Sequence, residues 1–118
     1  MQRYTDAQLL ALLQDLESDR VERKESFRGT TPKKARQAVC AFANDLPNYN
    51  TPGILFIGAC DDGTPSNEPI TDELLCALSD MCRDGTILPL PVMTVEKRLI
   101  SGVEMAVVIV YPSDTPPV

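Results

Sequence analysis

Residues 54–60 read ILFIGAC, a run with no charged side chain, closed at once by Asp61-Asp62-Gly63. A stretch this short and this uniformly apolar does not alternate, as a strand with one wet face would. It fits a strand covered on both faces, ended by a tight turn. That requirement constrains the rest of the chain, which must supply neighbouring strands and the layers that cover them.

The flanking segments do supply them. Thr5 and Gln8 form a capping box, and Leu9, Leu12, Leu13 and Leu16 recur at helical spacing, which predicts an amphipathic helix over 6–16. Arg20–Ser26 alternates and predicts a strand, with Glu22 and Lys24 on one face and Val21 and Arg23 on the other. Thr31-Pro32 reads as an N-cap followed by proline at the first helical position. Ala35, Val39, Phe42 and Leu46 then mark the buried stripe of a helix over 32–46. PNYNTPG is a turn-rich connection. Thr71 caps a third helix over 72–83, with Leu74, Leu75, Leu78 and Met81 inward and Gly85 suited to its end. PVMTVEKRLI and GVEMAVVIVY are strands joined by Ser101-Gly102, a two-residue hairpin signal. The expected fold is α/β (α+β): a mixed sheet with about three packed helices and a C-terminal β-hairpin, in the order α-β-α-β-α-β-β. A length of 118 residues suits one domain, 1–118. Its abrupt close after VVIVY leads us to expect the N-terminal fragment of a longer protein.

Charge is distributed unevenly. Residues 20–36 hold seven basic and two acidic side chains, +5, whereas the remainder holds four basic and fifteen acidic, −11. The net charge of −6 argues against a protein that coats nucleic acid through overall positive charge, but not against a local cationic patch. Within that patch Lys33, Lys34 and Arg36 crowd the start of the second helix, where the helix dipole disfavours cations by about 0.3–1 kcal/mol. A visiting anion would offset that cost, and so would simple tolerance at a solvated surface.

Other classes of chemistry find no support. There is no histidine, which removes Ser-His and Cys-His nucleophiles. Four cysteines (Cys40, Cys60, Cys76, Cys82) lack CxxC spacing, so structural zinc is not expected, and the first three read as small buried hydrophobes. No glycine-rich phosphate loop is visible. Met1–Thr5 leads straight into a polar-patterned helix and no apolar run is long enough for a bilayer, so a cytoplasmic protein without membrane contact is expected.

Three segments in order carry a resemblance: ES-x3-E-x-K (Glu17, Ser18, Glu22, Lys24), AFAND (Ala41–Asp45) and PGILFIGACDDG (Pro52–Gly63), followed by VVIVYPSDTPPV. Together they resemble the AlbA-like domain of the Schlafen family. That domain also occurs at the N-terminus of bacterial RecG-related helicases and transcriptional regulators. The resemblance implies a nucleic-acid-binding domain followed by further domains of the same chain. In Schlafen nucleases the motif supplies three carboxylates that hold a divalent metal. By motif these are Glu17, Glu22 and Asp61, or alternatively Asp62, with Lys24 beside them as a phosphate contact. The chain departs from the pattern at Arg23, where an apolar residue is usual. LPNYNTPG replaces a glycine pair, and the zinc site of animal Schlafens has no counterpart.

Three functions follow as expectations. The first is nucleic-acid binding, DNA favoured over RNA, through Arg20, Lys24, Arg28, Lys33, Lys34 and Arg36, with no cofactor required. The second is metal-dependent endoribonuclease activity, with Mg or Mn held by Glu17, Glu22 and Asp61; the plainer reading of these acids is a helix end, a surface ion pair and a turn. The third is an interaction module that packs against a partner or a second copy of itself. The segment ESDRVERKES, which mixes acid and base around Val21, does not decide among them.

Overall fold

The computed structural model describes residues 3–44, 51–81 and 92–112. Their elements follow the expected order: α1 (Asp6–Gln14), β1 (Val21–Lys24), α2 (Thr31–Asn44), β2 (Gly53–Ile57), α3 (Asp72–Asp80), β3 (Met93–Ile100) and β4 (Val103–Val110). The four strands form one mixed sheet in the order β1-β2-β4-β3. β1 runs parallel to β2, and the other two pairings are antiparallel.

The apolar run earns its place as an inner strand. Every residue of β2 is buried, as are Met105–Val110 of β4 beside it. Leu55, Ile57, Ala106, Val108 and Val110 face α2 and α3, packing on Ala35, Val39, Phe42, Ala43 and Leu78. Ile54, Phe56, Met105, Val107 and Ile109 face the other way, onto Leu9 and Leu13 of α1. The molecule thus has three layers, with α1 on one side of the sheet and α2 with α3 on the other. Each fully buried Leu, Ile or Phe contributes about 1.5–3 kcal/mol relative to exposure. Among the described residues no helix is long and apolar enough to cross a membrane.

Local chemistry sets the boundaries. Thr5 caps α1 in a complete capping box, with Thr5 N–H donating to Gln8 Oε1 at 2.8 Å and Gln8 N–H to Thr5 Oγ1 at 3.1 Å. Thr71 Oγ1 accepts from Leu74 N–H and caps α3. In the β3–β4 turn both Ser101 and Gly102 have positive φ (52° and 77°), as a hairpin turn compatible with strand twist requires.

Several expected boundaries move. α1 ends at Gln14, not at 16, because Asp15 is extended (φ −84°, ψ 90°), and Leu16 is consequently 55 % exposed. β1 covers Val21–Lys24 rather than 20–26. β2 stops at Ile57 because Gly58 turns to φ +104°, and the Gly58 and Ala59 N–H groups both donate to the Lys24 carbonyl (2.8 and 3.1 Å). The cap of α2 also shifts by one: the Thr30 carbonyl accepts from Lys34 N–H at 3.2 Å, so Thr30 and not Thr31 precedes the helix. α3 closes at Asp80 with Met81 as its C-cap. Asp45, Leu46, Cys82 and Gly85 lie outside the described residues. The cysteines need correction too. Cys76 is exposed and Cys40 and Cys60 are half-buried, so none is a fully buried apolar filler.

Candidate nucleic-acid interface

ESDRVERKES turns out to be an anchoring segment. Val21 and Arg23 point to the α1 layer, while Glu22 and Lys24 pair with Leu55 and Ile57 on the α2 side. Arg23 is only 8 % exposed. Its Nε donates to the Leu13 carbonyl at 2.8 Å, and its Nη2 to the carbonyls of Leu12 (3.3 Å) and Asp15 (2.9 Å). The last carbonyls of a helix have no partner inside it, and α1 carries no basic residue in its own last turn. Arg23 supplies both the donors and the positive charge that a helix C-terminus favours. Arg20 does the same for α2, donating from Nη2 to the carbonyls of Phe42 (3.3 Å) and Thr51 (2.6 Å). Its guanidinium lies 5.1 Å from the Phe42 ring centroid, within cation–π range.

The other predicted cations gather elsewhere. The connection from β1 through α2 to the parallel strand β2 places the α2 N-terminus over the C-terminal ends of both strands. Lys24, Arg28, Lys33, Lys34 and Arg36 stand at this end, whereas Arg20 holds the opposite end. Lys24 Nζ lies 3.2 Å from Glu22 Oε1, and Arg28 Nη2 lies 2.7 Å from Glu68 Oε2. Lys24 is only 22 % exposed, whereas the Arg28 guanidinium is 75 % exposed and stays open to solvent beside its partner. Lys33 and Lys34 are exposed, and neither makes an ion pair among the described residues; Arg36 is half-buried. α2 has no acidic residue in its first turn to oppose an anion. The outer ends of parallel strands, beside a helix N-terminus, are where sheets with helical crossovers commonly bind ligands.

The acidic residues come from three different segments. Glu17 is exposed in the connection after α1, where its N–H donates to Asp15 Oδ1 at 3.2 Å. Glu22 faces the α2 layer from β1, and Asp61 lies in the exposed turn beyond β2. Among the described residues no three His, Cys, Asp or Glu side chains form a group that could hold a metal ion. The structure therefore does not bring Glu17, Glu22 and Asp61 together as a metal centre. Asp62, the alternative third acid, accepts hydrogen bonds from Thr64 Oγ1 (2.6 Å) and Thr64 N–H (3.0 Å), which hold its carboxyl below the usual carboxylate range.

Contacts that sequence spacing gave no sign of surround this end of the sheet. The Cys60 thiol donates to Glu25 Oε1 at 3.4 Å, and Ser66 Oγ donates to the Glu25 carbonyl at 2.7 Å. A hydrogen bond with Thr64 lowers the Cys60 pKa, but desolvation and the charges of Glu25 and Asp62 outweigh it, so the thiol is raised. Cys60 stays protonated near neutral pH and is a poor nucleophile.

A family model described as Schlafen, AlbA_2 matches residues 17–118 of the chain. The solution NMR structure of the N-terminal domain of a RecG-related helicase protein from Nitrosomonas europaea has a similar fold. Its TM-score is 0.58 at 24% sequence identity, over 96% of this chain and 76% of that one. No curated protein matches the chain.

Proposed function

The chain belongs to the Schlafen AlbA_2 family, and from that premise we propose that it is a nucleic-acid-binding domain, favouring DNA, of a transcriptional regulator or RecG-related helicase-like protein. The observation that carries this reading is the open pair Lys33 and Lys34 on the first turns of α2, with Lys24, Arg28 and Arg36 at the same end of the sheet. On a body of net charge −6, such a cluster gives a local field that orients the backbone of a nucleic acid onto one end of the molecule. Its contacts are to phosphates, so they position the strand without reading its sequence. Arg20 has a structural role in this account, because its guanidinium is engaged with the carbonyls of Phe42 and Thr51.

The test is the salt dependence of binding. Changing Lys33, Lys34 and Arg36 together to Ala removes three phosphate contacts and should flatten the slope of log K against log salt by about 2–3. Lys33 and Lys34 make no ion pair among the described residues, so changing those two alone should leave urea unfolding unaltered, and the double variant separates lost binding from any effect of removing half-buried Arg36. Unchanged affinity at low salt would overturn the assignment of this surface. Binding of this kind needs no metal, so EDTA should leave the affinity where it was.

A further inference from the structure

At the opposite edge of the sheet, and on its other face, β3 carries a polar row. Thr94, Glu96 and Arg98 alternate along the strand, so they share the α1 face with Ile100, across from Ile109, Val107 and Met105 of β4. Arg98 is clamped there. Its Nη1 donates to Glu96 Oε1 (2.8 Å), its Nε and Nη2 to Asp6 Oδ1 (2.9 and 2.6 Å), and its Nη2 also to the Tyr4 carbonyl (3.0 Å). This knot ties the segment before α1 to β3. Beside it lies a cavity of about 440 Å³, bounded by Tyr4 and Tyr111, buried Ile109, and exposed Arg3 as well as the polar row.

Three features of this cavity point to its occupant. The Thr94 hydroxyl oxygen is buried and has no hydrogen-bond partner among the described residues, an uncommon state that calls for a reason. Two phenol rings and an aliphatic side chain offer apolar surfaces suited to a flat aromatic face. The Arg98 charge is matched by Asp6 and Glu96, while Arg3 makes no ion pair among the described residues. Burial and the Tyr111 phenol raise the Tyr4 pKa, against a lowering by Arg20, so Tyr4 remains a neutral donor. The volume falls within the range of small-molecule sites, about 300–1,000 Å³.

We propose that this cavity takes one unpaired nucleobase, stacked against Tyr4 and Tyr111, with Thr94 and Glu96 reading its edge and Arg3 meeting its phosphate. A carboxylate only accepts hydrogen bonds, so Glu96 favours bases that present an exocyclic amino group (adenine, cytosine and guanine) over uracil, whose one donor, N3–H, is flanked by two carbonyl oxygens that repel it. The inference rests on the nucleic-acid reading above, but it uses different residues, at the opposite edge of the sheet and on the other face from the α2 cluster. The base could belong to a single strand or to a free nucleotide.

The experiment titrates the chain with AMP, CMP, UMP, ribose 5-phosphate and a short single strand, following the backbone amide shifts of residues 4, 94, 96, 98 and 111. AMP and CMP should move these amides more than UMP does, and ribose 5-phosphate should leave them in place. Thr94→Val should weaken AMP binding about fivefold or more while unfolding at the same or higher urea, because it removes an unpaired buried hydroxyl. Arg3→Ala should weaken AMP but not adenosine. Displacement of AMP by the single strand identifies a strand as the natural source, and failure to displace it identifies a free nucleotide; both outcomes support the site. If ribose 5-phosphate moves the same amides as strongly, or no nucleotide moves them, the inference is overturned. Persistence of salt-dependent duplex binding in that case leaves the α2 assignment standing. AMP binding without duplex binding would do the reverse.

Discussion

Arg23 stands where a strand facing a helix would ordinarily carry an apolar side chain. The structure explains the exchange: one planar fork reaches three carbonyls at the end of α1, a task no aliphatic residue performs. Arg23→Met keeps the volume but strands those acceptors, and should cost about 1.5–3 kcal/mol in urea unfolding. Arg23→Lys should recover only a fraction, because an ammonium cannot serve all three positions. Asp62 offers a titration counterpart. Thr64 holds its carboxyl low, so whatever Asp62 contributes to stability is complete above its ordinary pKa and disappears as pH falls through the depressed folded value, below about pH 4. Thr64→Ala should move the Asp62 carbon shift titration upward toward the ordinary range. Neither role could be read from spacing, since ESDRVERKES displays its alternation but not which chain ends its arginines will meet.

Among the elements, α2 lies especially close on β2 at Gly53. A Cβ at Gly53 would collide with the Phe42 ring, so glycine lets the helix lie directly on the strand backbone, with the Arg20 guanidinium also against that ring. Gly53→Ala should destabilise by about 1–3 kcal/mol, and Phe42→Leu should restore part of the loss, giving a measurable coupling in a double-mutant cycle. At this scale the sequence was most readable. The unbroken ILFI run, the Thr5 and Thr71 caps and the Ser101-Gly102 turn are all local signals, and each element formed where it pointed. Boundaries moved where a distant partner intervened, as at Asp15, where Arg23 takes over the helix end from β1.

Across the whole molecule, two buried strands stand between two edges. Amide hydrogen exchange should be slowest at Leu55, Phe56, Val107 and Val108, which are fully buried in β2 and β4, and faster on the outward side of β1. β3, the other edge, carries Glu96, Lys97 and Arg98 in succession, charges that discourage edge-to-edge pairing. The basic window was visible in the sequence as a run of charge, and α2 does display its two lysines. The cavity beside Arg98 was not, because Arg98 and Asp6 meet across 92 positions of chain. One small contact also links the layers. The Leu13 carbonyl accepts from Arg23 and leaves no room for a Cβ on Gly63, whose φ is +85°. A single oxygen thus sits where a helix, a strand and the acidic turn approach one another. Any side chain added at Gly63 would press on the same oxygen that Arg23 holds, so crowding in the turn would be felt at the end of α1.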